Sequence, residues 1–206
     1  MDLDDYPPML LTERQVDLTE PGWIYEIKYD GYRVTALFGE GSCQLRSRNG
    51  ADASIWFPEV TRSLAQIRGG PYVLDGEVCV FDDLGRSDFD RLQTRARRRS
   101  WYQGADPVGY AAFDLLVAHG IDITERTLLQ RKAMLAEMLD PIPDAVLPVG
   151  HFDEGGDRLF DQAVMQLKLE GIVAKRMNSL YVPGIRSVDW VKVKRPGAVP
   201  AERFNH

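Results

Sequence analysis

"YEIKYDGYR", residues 25–33, decides how this chain is read. From Trp23 the residues alternate: Trp23, Tyr25 and Ile27 point one way, and Ile24, Glu26 and Lys28 the other. A period of two marks a β-strand with two different faces. Asp30 and Gly31 punctuate that strand, and Arg33 lies in the next one, "YRVTALF" (32–38). A solvated strand lysine needs no such company. An unperturbed lysine titrates near ~10.4 and is protonated at neutral pH. Burial or neighbouring cations favour loss of that proton and turn the amine into a nucleophile.

Working outward, "GEGS" (39–42) is a turn and "CQLRS" (43–47) a third strand, which predicts a hairpin, with a further turn at "RNG" (48–50). The patterns predict helices over 56–68, 88–99, 124–139 and 157–168. They predict strands over 72–81, 108–118, 170–176 and 189–195. Residues 1–22 read as an irregular lead-in, 23–195 as one domain and 196–206 as a short tail. Many strands with few βαβ repeats predict an α+β fold of mostly antiparallel sheets flanked by helices.

Bulk composition narrows the function. The chain has 206 residues, which suits a single domain, and 44% of them are hydrophobic, enough for a sizeable core. A net charge of −6 argues against coating nucleic acid by bulk charge but leaves room for a local basic groove. Cys43 and Cys79 lie in separate apolar runs with no CxxC pairing, as expected of reduced thiols in a cytosolic protein. The start has no signal-peptide pattern, and no apolar run is long enough to span a membrane. A cytoplasmic location without membrane association is the expectation. There is no GxxxxGK[ST] phosphate loop.

Several short constellations carry chemistry, each with a plainer alternative. In "LDGEV" (74–78), Asp75 and Glu77 share a face beside a glycine. They suit a sugar hydroxyl or a metal, or else a β-bulge with exposed acids. Glu170, just before Gly171, could hold a hard cation through oxygen or simply sit in a turn. Phe113 could stack on a base or belong to the core. Lys192 and Lys194 in "WVKVKR" present two cations on one face, fit for a triphosphate or for an exposed edge strand. Arg46 and Arg48 beside a turn could meet phosphate or solvent. Five arginines at 91, 95, 97, 98 and 99 could contact phosphates or form a solvated helix face.

Their order adds what no single one supplies. Lys-x-Asp-Gly-x-Arg (28–33), Ser-Arg-Asn-Gly (47–50), Asp-Gly-Glu (75–77), Phe-Asp (113–114), Glu-Gly-Ile-Val-x-Lys (170–175) and Trp-Val-Lys-Val-Lys (190–194) occur in series. The series resembles the covalent nucleotidyltransferase superfamily of ATP-dependent DNA ligases, RNA ligases and capping enzymes. It is most similar to the ligase modules of bacterial end-joining proteins of the LigD type. "PPML" (7–10), "GWIYEIKYDGYR" (22–33) and "FDRLQTR" (89–95) add to that likeness.

The resemblance implies the chemistry. Lys28 would attack the α-phosphorus of ATP, expel pyrophosphate and carry AMP as a phosphoramidate. The AMP would pass to the 5′-phosphate of a nicked DNA strand, and the 3′-hydroxyl would seal the nick. Asp30, with Gly31, would shape the turn. Lys192 and Lys194 would grip the α-phosphate. Glu26 would lie near the adenine, and Phe113 would stack on it. Arg33 and Arg48 would reach the ribose and phosphates. Lys175 would face the same phosphate or DNA. Glu77 would bind the ribose or, with Glu170, Mg²⁺ or Mn²⁺. Nicked or broken duplex DNA is the implied partner.

Ligases of this type carry an OB-fold domain after the Trp-x-Lys-x-Lys strand, and an OB-fold needs five strands of about 5 residues each. Eleven residues follow Arg195 here. The expectation is a catalytic core that acts weakly alone or with an OB domain, Ku or a LigD-type polymerase in trans. RNA ligation, guanylyl transfer and a non-catalytic scaffold are the alternatives.

Overall fold

The computed structural model describes residues 1–198. Residues 199–206, most of the predicted tail, lie outside the described residues. Among the described residues, ten strands form two sheets. The first has the order β1–β10–β9–β2, built from Leu10–Glu13 (β1), Arg186–Lys194 (β10), Gly171–Arg176 (β9) and Trp23–Lys28 (β2). The second has the order β4–β3–β5–β6–β7, from Ser42–Ser47 (β4), Tyr32–Gly39 (β3), Tyr72–Cys79 (β5), Gly109–Ala118 (β6) and Ile121–Asp122 (β7). A further strand, Val146–Pro148 (β8), adds to β6 in parallel. The remaining pairs are antiparallel except β1 with β10. The predicted α+β class with mostly antiparallel sheets is the observed one.

Helices α1 (Pro58–Ala65), α2 (Phe89–Ala96) and α3 (Leu128–Met138) cover the second sheet, and Leu64, Leu92, Leu135 and Leu139 join one core with Val34, Leu74 and Leu115. A second core joins the two sheets: Ile24 and Trp190 from the first meet Val73, Leu116 and Val117 of the second. On the far face of the first sheet, Trp23, Tyr25, Ile172, Ala174 and Val191 pack with Val164. The alternation read at residues 23–28 therefore holds in three dimensions, with one face towards the second sheet and one away from it.

Three readings are corrected. The lead-in is not wholly irregular, because β1 lies within it and pairs with β10, Glu13 opposite Lys192. This makes β10 an interior strand, so its lysines do not decorate an edge. The helix predicted over 157–168 is one α-turn, α4 (Gly156–Leu159), followed by a π-turn at Phe160–Val164. Only Val164 is buried between Leu159 and Leu169, too little apolar surface to hold a longer regular helix.

Candidate active site

The register of the first sheet builds the site. Lys28 lies opposite Gly171, which lies opposite Lys194. Two residues along, Glu26, Val173 and Lys192 share a row, and two further on the row is Ile24, Lys175 and Trp190. Directly opposed residues project to the same face of a sheet. Lys28, Glu26, Lys175, Lys192 and Lys194 are thus gathered on the face that looks at the second sheet. Across the cleft stand Arg33, Glu77 and Phe113.

Lys28 ends β2, where its Nζ donates to Glu170 Oε2 at 2.5 Å, and both side chains keep a little exposure. The Asp30–Gly31 turn after it is tightly held. Asp30 N donates to Ser87 Oγ at 2.9 Å, and Gly31 N to Glu77 Oε1 at 3.2 Å. A Cβ on Gly31 would lie 2.2 Å from the Val78 carbonyl oxygen, so the glycine is required by close approach of the turn to β5. Burial raises Glu77 to about 7 against the pull of Lys28 and Arg33.

Glu26 is fully enclosed between two lysines. Lys132 Nζ donates to Oε1 at 2.5 Å, and Lys175 Nζ is 2.6 Å from Oε2. Burial works against the Glu26 charge, but the Lys175 and Lys132 ammoniums outweigh it and hold the carboxyl below its ordinary range. Burial also brings Lys175 down to about 8, although Glu26 pulls the other way. Lys175 Nζ sits 3.9 Å from the Trp190 ring centre and 4.6 Å from that of Phe113. Phe113 is half-buried, with one ring available to both the cleft and these cations.

Arg33 is held bidentately by Asp75, with Nε and Nη2 each 2.7 Å from a carboxylate oxygen, and its guanidinium lies 4.6 Å from the Phe113 ring centre. Asp75 is fully buried and also accepts from the Tyr181 hydroxyl at 2.6 Å. The alternative of exposed acids at a bulge is corrected here: the ladder does shift register between Asp75 and Gly76, but Asp75 is inside. Lys192 and Lys194 share the Glu13 carboxylate at 2.9 and 3.7 Å. Arg48 is exposed outside the cleft lining and, among the described residues, is joined to the site only by its backbone N–H on the Arg33 carbonyl at 3.0 Å.

Among the described residues, no three His, Cys, Asp or Glu side chains converge as a cation cage. Glu170 contacts Lys28, and Glu77 feels the Lys28 charge. Two carboxylates suit Mg²⁺ or Mn²⁺ that completes its shell with water and phosphate oxygens.

Sequence reasoning missed Lys132, Asp75's clamp on Arg33, and Glu13. Lys132 left a trace: it interrupts the apolar stripe Leu128, Leu135, Leu139, and a cation on such a stripe needs a buried anion. Glu13, the last residue of a four-residue strand, left none.

The family model for the ATP dependent DNA ligase domain matches residues 8–194. The bifunctional non-homologous end joining protein LigD of Bacillus subtilis is 35% identical over 190 residues, covering 84% of this chain and 31% of that protein. The multifunctional LigD of Mycolicibacterium smegmatis is 33% identical over 196 residues, covering 93% of this chain and 24% of that one. Mycobacterial DNA ligase D, solved in complex with ATP and MES, superimposes with a TM-score of 0.80 at 32% identity over 95% of this chain and 62% of that structure. The chain therefore spans about a quarter to a third of these two end-joining relatives. Chlorella virus DNA ligase-adenylate, at 15% identity and a TM-score of 0.65, shares the fold.

Proposed function

From the ATP-dependent DNA ligase family, to which this chain belongs, we propose that the protein forms a covalent lysine–AMP on Lys28 and passes AMP to a DNA 5′-phosphate. The observation that carries this is the row Lys28–Gly171–Lys194, with Lys192 and Glu26 two residues along their strands, facing Arg33, Glu77 and Phe113. ATP is the nucleotide because mycobacterial DNA ligase D was solved with it.

In this reading the purine lies between Phe113 and the Glu26 end of the cleft. Lys28 Nζ attacks the α-phosphorus in line. The N–P bond forms as the P–O bond to pyrophosphate breaks. Glu170 Oε2, already hydrogen-bonded to Nζ, stands where it can accept the ammonium proton. Lys192 and Lys194 exchange Glu13 for phosphate oxygens and offset the charge that develops during displacement. A hard divalent cation held by Glu77 or Glu170 would neutralise further phosphate charge. In the second step the DNA 5′-phosphate takes AMP from Lys28, and a 3′-hydroxyl then displaces AMP. The names of the LigD relatives support use in end joining. An OB-fold domain or an end-joining protein acting in trans is the partner we infer.

Incubation with α-labelled ATP and Mg²⁺ or Mn²⁺ tests the first step. Acid-stable label on the wild type and none on Lys28→Ala is the expected result. Undiminished label on that variant ends the proposal.

A further inference from the structure

The five arginines at 91–99 do not behave alike. Arg91 is bound to Asp106 and Arg95 is fully buried on Glu59, so both serve the fold. Arg97, Arg98 and Arg99 are exposed and, among the described residues, have no carboxylate partner. Two of them lie against rings: Arg98 is 4.3 Å from the Tyr102 centre and Arg99 5.3 Å from that of Trp56. A guanidinium held flat on a ring keeps its N–H edge free for phosphate. Trp101 follows after Ser100 and is 55% exposed. Three cations with no carboxylate partner among the described residues, beside an uncovered indole, are unusual on a chain of net charge −6.

The patch borders the Lys28 turn. Phe89, which opens α2, packs 5.9 Å from Tyr32, the residue after Gly31. Burial raises the Tyr32 hydroxyl, and the Arg97 charge is near enough to pull it down. Ser87, just before α2, holds the Asp30 amide.

We propose that Arg97, Arg98, Arg99 and Trp101 form a landing surface for a single-stranded stretch of nucleic acid, such as an overhang or frayed end, running towards Lys28. The arginines take successive phosphates, and Trp101 stacks on one unpaired base. An intact duplex offers no base face to an indole on an open surface, whereas a single strand offers one at every nucleotide. The proposal rests on the adenylyl-transfer reading for its substrate, and the two can fail separately.

The test is fluorescence anisotropy of labelled oligothymidylate and of a blunt duplex of equal length with the full chain. Wild type, Trp101→Ala and the triple variant Arg97→Gln/Arg98→Gln/Arg99→Gln are compared, with circular dichroism to check folding and Lys28 labelling in parallel. We expect the single strand to bind more tightly than the duplex. Trp101→Ala should weaken single-strand binding by about tenfold. The triple variant should lower the slope of log K against log salt by about 2. Label on Lys28 should be unchanged in both. Equal binding by wild type and variants overturns the proposal, as does tighter binding of the blunt duplex. Absent label with these binding differences intact would sink the adenylyl-transfer reading and leave the surface standing.

Discussion

Lys132 is a lysine placed where a helix facing a core ordinarily carries leucine. It is 6% exposed and donates to Glu26, to the Val149 carbonyl at 2.9 Å and to the Phe113 carbonyl at 3.4 Å, which occupies all three of its protons. Removing one member of such a buried pair leaves the other charge poorly compensated. Lys132→Met should destabilise the fold by about 3–5 kcal/mol in denaturant unfolding, and an unchanged midpoint would refute the pairing. Glu77 makes the opposite kind of statement. Its carboxyl is raised from 4.5 to about 7, chiefly by burial, so the folded chain holds that proton more tightly than the unfolded one. The contribution to stability is present below the unfolded value and is lost as pH rises through about 7. Glu77→Gln should remove that part of the pH slope between about 4.5 and 7, and an identical slope in the variant would show that Glu77 is not its source. The motif residues were readable because their types are costly to place without a purpose. The clamp of Asp75 on Arg33 and the pairing of Lys132 were less so, because each lies in a partner from a distant part of the chain.

Elements were legible in proportion to their periodicity. The strand at Trp23–Lys28 declares both faces in six residues, and its partner β9 and, beyond it, β10 repeat the pattern. β1 is four residues long and gains its place only by parallel pairing with β10, a long-range contact that local pattern does not encode. Helix α3 starts later than the 124–139 reading, because Thr127 caps it and exchanges hydrogen bonds with Gln130. The turn between β2 and β3 is the element most exposed to substitution. A methyl at Gly31 would force the backbone away from Val78 and carry Lys28 and Asp30 with it. Gly31→Ala should lower the rate of self-labelling by more than about tenfold, since small misplacements of a reacting group are amplified in rate. A variant that labels at the wild-type rate would mean the turn can yield without moving Lys28.

For the molecule as a whole, the class of fold followed from strand count and helix count, but the way the two sheets face each other did not. That arrangement depends on an inter-sheet bond network with no local signature. Asp75 on β5 binds Arg33 on β3 and the Tyr181 hydroxyl, that hydroxyl accepts from the Met9 amide at 2.9 Å, and Arg33 reaches the Met9 carbonyl at 3.1 Å. Three segments distant in sequence meet at one carboxylate, and a fourth, at Met9, ties two of them together. Asp75→Ala should therefore cost about 3–5 kcal/mol of stability and reduce self-labelling at temperatures where the chain is still folded. Loss of stability without loss of labelling would confine Asp75 to a structural role.

The rows Lys28–Gly171–Lys194 and Glu26–Val173–Lys192 also give the site a parity. Every residue with chemistry on β2, β9 and β10 sits an even number of steps from its neighbours, and every residue between them is apolar filling for the opposite core. A single residue inserted into β9 would turn Lys175 and Val173 away and send Ile172 and Ala174 into the cleft, while a pair of residues would leave the faces as they are. Change in the length of these strands is thus tolerable only in twos. Gly171 guards the count, since a Cβ there would lie 2.1 Å from the Val193 oxygen and no other residue can take its place in the row without parting the strands.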